Sequence, residues 1–257
     1  MRFLQKWLVP ILAALMLIGL AIANLEPAEL SFEQGLAGIA VNRRRSRGAE
    51  SRALGGQVDH DVPVIAIKAG EQIRGLVFGY SCHTTALGGL TISGDYAGFA
   101  QLELEKNYAG SIAMFVQNCG GDANPLPRIR GNDMEATSLA AKYGSILAEA
   151  VNQVVANKMV PLSGAMSVAM GEAKLPLQEG LSLDEVRQRL PKLSGMPKRE
   201  FEHFLRQYET LGSLPDHVSY PIQVWRFGSE LTFIALTGET VVDYSLKFKG
   251  ANSWNTT

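Results

Sequence analysis

Apolar and polar positions along the chain fall into blocks, some with period two and some with period 3.6. The first block is uniformly apolar. Arg2 and Lys6 precede an uncharged run from Trp7 to Ala23, which ends in Ala21-Ile22-Ala23 before the polar Asn24-Leu25-Glu26. A short basic start, an apolar stretch and a small-x-small ending are the pattern of a signal peptide. Seventeen uncharged residues also stand near the lower limit for a membrane anchor of about 20. Segment 1–23 is therefore expected to be a signal peptide or membrane anchor, with a buried domain helix as a third reading. Next, LSFEQGLAGIAVNRR alternates loosely around Gly35 and Gly38 and predicts an extended strand or hairpin. Residues 43–56 are polar, basic and Gly-terminated, which predicts a surface loop. The runs VPVIAIKA and IRGLVFGYSCH are short, apolar and separated by Gly-Glu-Gln, the signature of a β-hairpin.

Helical spacing begins after Asp95, which stands in N-cap position before YAGFAQLELEKNY. GSIAMFVQN (110–118) predicts a buried strand leading into the Gly-rich turn CGGDANPLPR. From Asp133 to Lys158 the pattern is a long amphipathic helix with Ile146, Leu147, Ala150, Val151, Val154 and Val155 on its apolar side. SGAMSVAMGEAKLPL reads as a strand. Segment 181–214 is charged and helical, with Ser182 and Glu185 spaced as a capping box, and predicts a helical insertion. YPIQVWRFG and ELTFIALTG are strands, followed by a helix from Glu239 to about Lys249. This succession predicts an α/β fold, a layered mixed β-sheet flanked by helices, because hairpins exclude a purely parallel sheet.

Composition narrows the function classes. The chain has 257 residues, of which 46% are hydrophobic, and its 24 Lys+Arg against 25 Asp+Glu give a formal net charge of -1. That balance argues against a nucleic-acid partner, which needs a clustered cationic surface. The apolar fraction excludes a disordered acidic chain. Two cysteines, Cys82 and Cys119, exclude a four-thiolate zinc ribbon, and in an exported chain the two could pair.

Reactive groups gather at the predicted strand ends, where α/β sheets place their ligand sites. His83 follows one strand beside Ser81, Thr84 and Thr85; Ser93 and Asp95 occupy a second loop; Asn118, Asp122 and Asn124 surround Gly120-Gly121, a turn expected to turn its N–H groups to a ligand; Glu239 ends the last strong strand. No H-E-x-x-H motif, nucleophile elbow or P-loop is present, and His60, His203 and His217 lie in polar contexts and read as surface residues. A serine hydrolase using Ser81 or Ser93 with His83 is a further reading.

Taken together, GIAVNRR, VDHDVPVIAI, LVFGYSCHTTAL, ISGDYAGFAQ, FVQNCGGDANPLPR and FIALTGET resemble, in order, the N-terminal catalytic domain of the neutral/alkaline ceramidases. The resemblance spans roughly residues 25–250, within an expected partial ceramidase-like domain over 24–257. It implies a zinc-dependent amide hydrolase cleaving the N-acyl bond of ceramide-type lipids at a membrane surface, and the apolar segment 1–23 predicts that the protein is exported (periplasmic or secreted). By resemblance, His83 and Glu239 are zinc ligands, Asn42 and Arg43 lie at the substrate site, and Asp122 and Asn124 are catalytic, orienting water or stabilising an oxyanion. The family's G-D-x-S-P-N signature has its serine replaced by Asn124, and an amide cannot act as a nucleophile. The family's upstream H-x-H-S-G segment and downstream Tyr-rich segment, which supply the other two zinc ligands, are not in this sequence. Reduced activity is the expectation, and a non-catalytic, membrane-associated lipid-binding remnant is the alternative.

Overall fold

The computed structural model describes residues 2–44, 56–89, 92–128, 133–177, 182–213 and 216–251. Most of the basic loop expected at 43–56 lies outside the described residues. Along the chain run α1 (Arg2–Ala23), β1 (Glu29–Leu36), β2 (Ala40–Asn42), β3 (Asp61–Ala69), β4 (Gln72–Tyr80), α2 (Asp95–Asn107), β5 (Ile112–Gln117), β6 (Ala123–Pro125), α3 (Met134–Ala156), β7 (Val160–Pro161) and β8 (Met166–Pro176). Then follow α4 (Leu183–Arg189), a 3-10 turn (Leu190–Lys192), α5 (Gly195–Leu211), β9 (His217–Phe227), β10 (Leu231–Leu236) and α6 (Val242–Ala251). The fold is α/β, with a five-stranded mixed sheet, a three-stranded sheet and the two-stranded pair β2–β6.

The chain divides into two compact units. The larger, Met1–Ala165 with Phe227–Leu231 and Glu239–Thr257, contains the five-stranded sheet in the order β5-β4-β3-β1-β7. β3 pairs antiparallel with β1 and with β4, so VPVIAIKA and the next run do form a hairpin. β5 adds parallel to β4. Period-two alternation buries Val62, Val64 and Ala66 of β3, which join Leu76, Phe78 and Tyr80 of β4 in the core. Against these pack Tyr96, Ala100 and Leu104 of α2 and Leu147, Val151 and Val154 of α3. Asp133 caps α3, its side chain accepting a hydrogen bond from the Ala136 N–H.

The α2–α3 crossing depends on one glycine. A Cβ on Gly144 would lie 2.5 Å from the Phe99 Cβ and 2.9 Å from both the Ala100 nitrogen and the Tyr96 oxygen. Two of these atoms are backbone, so the helices must separate to admit a methyl group. Gly144→Ala is expected to cost about 2 kcal/mol or more, although alanine is the better helix former. Chemical denaturation checks this; an unchanged midpoint would contradict it.

The smaller unit comprises Met166–Arg226 and Thr232–Gly238. It carries the sheet β10-β9-β8 and, between β8 and β9 in sequence, the expected helices. The capping box is formed: the Ser182 hydroxyl accepts from the Glu185 N–H, and the Glu185 side chain accepts from the Ser182 N–H.

Several expectations change. β1 and β2 are not one hairpin, because β2 leaves the main sheet to pair with β6. β5 is an edge strand, not a buried one, and Ile112 and Met114 are exposed. Asp95 is not the N-cap: Gly94 takes that place, and Asp95 opens the helix at φ +53°. α6 starts at Val242 rather than Glu239, because the Val242 N–H is taken by the Asp122 carboxylate. The buried-helix reading of the N-terminus is overturned, since Leu12, Leu15, Met16, Leu17, Ile18 and Leu20 of α1 are all more than half exposed. Among the described residues no helix is long and apolar enough to cross a membrane.

Candidate functional site

Four chain segments of the larger unit meet where β4 ends. Each is tethered by hydrogen bonds from residues distant in sequence. Tyr80, the last residue of β4, turns its hydroxyl into the core, where it accepts from the Ile39 and Ala40 N–H groups (both 3.0 Å) and donates to the Ala37 carbonyl at 2.6 Å. Burial pushes the Tyr80 phenol up to about 12, against the two N–H bonds that lower it. This hydroxyl ties the approach to β2 onto the strand that delivers His83. His60, expected on the surface, is half-buried with Nδ1 3.5 Å from the same hydroxyl.

The turn after β4 is clamped by α2. The Tyr96 hydroxyl donates to the Cys82 carbonyl at 2.6 Å, and the Asp95 carboxylate accepts from the Ala86, Leu87 and Tyr96 N–H groups. Backbone at φ +53° is strained for aspartate and persists because these contacts hold it. The His83 N–H then donates to the Ala123 carbonyl of β6 at 3.0 Å.

His83 is thereby held with Nε2 facing three groups. It lies 3.7 Å from Glu239 Oε2, 3.2 Å from Arg43 Nη2 and 3.2 Å from the Gly121 carbonyl oxygen. Arg43 Nη2 also donates to the Gly121 carbonyl at 3.0 Å. The His83 side chain is 19% exposed and that of Glu239 72%. The cluster therefore forms a shallow surface site, open on the Glu239 side.

Asp122 is placed differently. It is 4% exposed, its Oδ2 accepts from Asn42 Nδ2 at 2.7 Å, and its Oδ1 accepts from the Val242 N–H at 2.9 Å. Its own carbonyl accepts from the Arg43 N–H at 2.7 Å. Asn42 is also buried and spent, donating to the Gln57 carbonyl and accepting from the Arg44 N–H. This pair holds Arg43 and the start of α6 in place; neither side chain points its polar atoms outward. Asn124 lies in β6 opposite Val41 and is half-buried.

The Gly120-Gly121 turn does not present its N–H groups to a ligand as expected. Gly120 N–H donates to Asn118 and Gly121 N–H to Thr240. The glycines serve close approach instead. A Cβ on Gly120 would sit 2.5 Å from the Cys82 nitrogen, and one on Gly121 would sit 2.4 Å from the Glu239 carbonyl oxygen. Glycine here lets the His83 turn and the Glu239 loop pack on one segment.

Ser81 is fully buried and donates to Asp59 Oδ2, while the Ser93 hydroxyl accepts from the Asp95 N–H. Among the described residues neither serine is hydrogen-bonded to His83, so the serine-hydrolase reading has no geometry behind it. Cys82 and Cys119 are both free thiols; burial pushes Cys82 up to about 12, and Thr240 Oγ1 donates to Cys119 Sγ.

One cluster has no sequence signal. Asp59, 4% exposed, accepts from Ser245 Oγ at 2.6 Å and from Lys249 Nζ at 2.8 Å, and Lys249 also pairs with Asp61. It fastens the far end of α6 to the chain entering β3.

His83 and Glu239, expected as zinc donors, stand near the separation that two such donors need. Zinc–nitrogen and zinc–oxygen bonds of about 2.1 Å at a tetrahedral angle place two donors about 3.4 Å apart, close to the 3.7 Å observed. No group of three His, Cys, Asp or Glu side chains able to hold a metal occurs among the described residues.

No protein-family model matches the chain, and no curated protein matches it by sequence. Solved structures match it by shape. The neutral ceramidase of Pseudomonas aeruginosa superposes on 91% of this chain and 44% of its own, with a TM-score of 0.61 at 18% identity. A ceramidase complexed with C2 covers 83% of this chain and 42% of its own, with a TM-score of 0.55 at 16% identity. The chain has a neutral ceramidase-like fold over nearly its whole length, and it spans less than half the length of either of these proteins.

Proposed function

We propose that the chain is a ceramidase-like amide hydrolase acting on N-acyl sphingoid lipids at a membrane surface, outside the cytoplasm, with residues 1–23 as export signal or anchor. The observation that carries this reading is the convergence of His83 and Glu239, 156 positions apart, to 3.7 Å on an open surface. The ceramidase fold and the exposed apolar side chains of α1 support it.

In this reading His83 and Glu239 hold zinc, with further donors required from outside the described residues. When bound, zinc supplies Lewis-acid polarisation of the acyl carbonyl or a bound water of lowered pKa. Arg43 offers N–H donors to the substrate's acyl oxygen and favours negative charge developing there. Asn124, which lacks a nucleophilic atom, contributes by orienting water. Asp122 and Asn42 position Arg43 and the Glu239 loop; they do not touch substrate.

Hydrolysis of a ceramide labelled on its acyl chain, by purified protein supplied with zinc, tests the reading. His83→Ala and Glu239→Ala are expected to lower turnover by roughly a hundredfold or more, since loss of even an outer-sphere partner of a ligand costs 10–100-fold. Turnover indifferent to both substitutions would overturn the assignment. Lipid binding without hydrolysis, unaffected by chelators, would favour the lipid-binding remnant, a reading favoured by one observation: only two zinc donors meet among the described residues.

A further inference from the structure

An outer strand leaves a row of backbone N–H and carbonyl groups open to another chain, and proteins usually blunt such edges. The larger unit does so. At β5 the Ala113 N–H donates to the Glu105 carboxylate, and the Ala113 carbonyl accepts from Gln101 Nε2 at 2.8 Å, so α2 occupies that backbone. At the other end of the sheet β7 has only two residues, the second a proline. The smaller unit leaves one edge open. β10, at one end of its sheet, is six residues long and half-buried throughout. β8, at the other end, runs for 11 residues with proline only at its last position, and all but Ala173 are exposed. Among the described residues no side chain hydrogen-bonds the β8 backbone. Met166, Val168 and Met170 stand exposed on one face of the strand, and Leu175 on the other.

The sequence of this strand is complementary to itself. A two-fold axis normal to the sheet pairs a strand antiparallel with its own copy and keeps each face continuous, so only residues of the same face oppose one another. An axis at Ala173 sets Glu172 against Lys174 of the second copy, twice by symmetry. It also sets small against large, Ala169 against Leu177 and Gly171 against Leu175. An axis at Glu172 or Lys174 would oppose like charges, and one at Met170 or Gly171 would set both charged residues against apolar ones. A formal net charge of -1 gives two copies little reason to repel. We propose that β8 pairs with β8 of a second copy of this chain, antiparallel about Ala173, joining two three-stranded sheets into one. The pairing requires neither zinc nor a lipid substrate.

Analytical ultracentrifugation of the purified full chain over a range of concentrations tests this. A dimer is expected, and Lys174→Glu or Glu172→Lys should each weaken it roughly tenfold or more, because either change turns two attractive cross-strand pairs into two repulsive ones. Combining Glu172→Lys with Lys174→Glu restores opposite charges across the axis and should restore the dimer. Association through the apolar side chains of α1 would ignore all three variants. Register is read separately by oxidation with copper phenanthroline. Ala173→Cys puts a thiol on the axis and should link two chains through a disulfide, whereas Met170→Cys, opposite Pro176, should not; the unaltered chain supplies the blank. A monomer at every concentration, a combined variant no stronger than the single ones, or equal cross-linking at positions 170 and 173 overturns the proposal. The first of these would leave the edge to a strand from a different protein.

Discussion

Lys249→Met is expected to destabilise the larger unit by about 3 kcal/mol near neutral pH, the lower end of what breaking a buried ion pair from one side costs. The lower end applies because the Lys249 side chain is 35% exposed while that of Asp59 is 4% exposed. Burial alone pushes the Asp59 carboxyl up. The Lys249 and Ser245 hydrogen bonds and the Lys249 charge outweigh it and hold the carboxyl below its ordinary value. Burial likewise pushes Lys249 down, and its bonds to Asp59 and Asp61 outweigh that and raise it. The signs follow from linkage. Asp59's contribution is present above its unfolded pKa of about 3.9 and is lost as pH falls through its lower folded value. Lys249's is present below its unfolded value of about 10.4 and is lost as pH rises through its higher folded value. In the methionine variant, burial of Asp59 is no longer opposed by a cation, so protonation favours its fold. The gap between variant and unaltered chain should therefore narrow on acidification below about pH 4 and again in strong alkali. Denaturant unfolding across pH checks it; a gap constant from acid to neutral pH would contradict the account. Asp59→Asn combined with Lys249→Met should recover much of the loss, because no charge is then left buried.

Asp122→Ala is expected to cost about 3 kcal/mol and to disorganise the site together with the fold. The substitution strands the Asn42 amide hydrogen and the Val242 N–H, two buried donors that now share one carboxylate. Each bond to a charged acceptor is worth about 1.5–3 kcal/mol, and each stranded donor adds its own penalty. Asp122→Asn, which keeps one acceptor, should lie near half that loss. Hydrogen exchange at Val242 separates a positioning role from a chemical one. If Asp122 positions, exchange at Val242 accelerates in both variants in step with loss of stability. An asparagine variant that stays as stable and as protected but loses the proposed hydrolysis would instead make Asp122 an acid or base.

Much of the fold is legible in the sequence, for a local reason. β3 alternates with period two because one face of the sheet is buried, and α3 shows a 3.6 period because one stripe of it meets that face. The Ser182–Glu185 capping box needs only residues three apart. Where expectation and structure part, the deciding partner is distant. GSIAMFVQN has the composition of a core strand but ends its sheet. Glu239 lies in a loop rather than a helix because a carboxylate 120 positions away takes the Val242 N–H.

The site shows the same division. His83 and Glu239 stand out in sequence as reactive residue types at strand ends, and the resemblance to ceramidases singles them out. Their 3.7 Å approach, the inward turn of Asp122 and Asn42, and the seating of Arg43 on the imidazole nitrogen come from tertiary contacts alone. So does the Asp59–Lys249 clamp, whose partners are 190 positions apart. Sequence by itself determines an α/β chain with an apolar N-terminal segment and a set of reactive residues at strand ends, because periodicity and residue type are local properties. Only the tertiary structure decides which of those residues face the open surface and which are spent as internal acceptors, because a buried polar group must find its partner wherever the fold brings one.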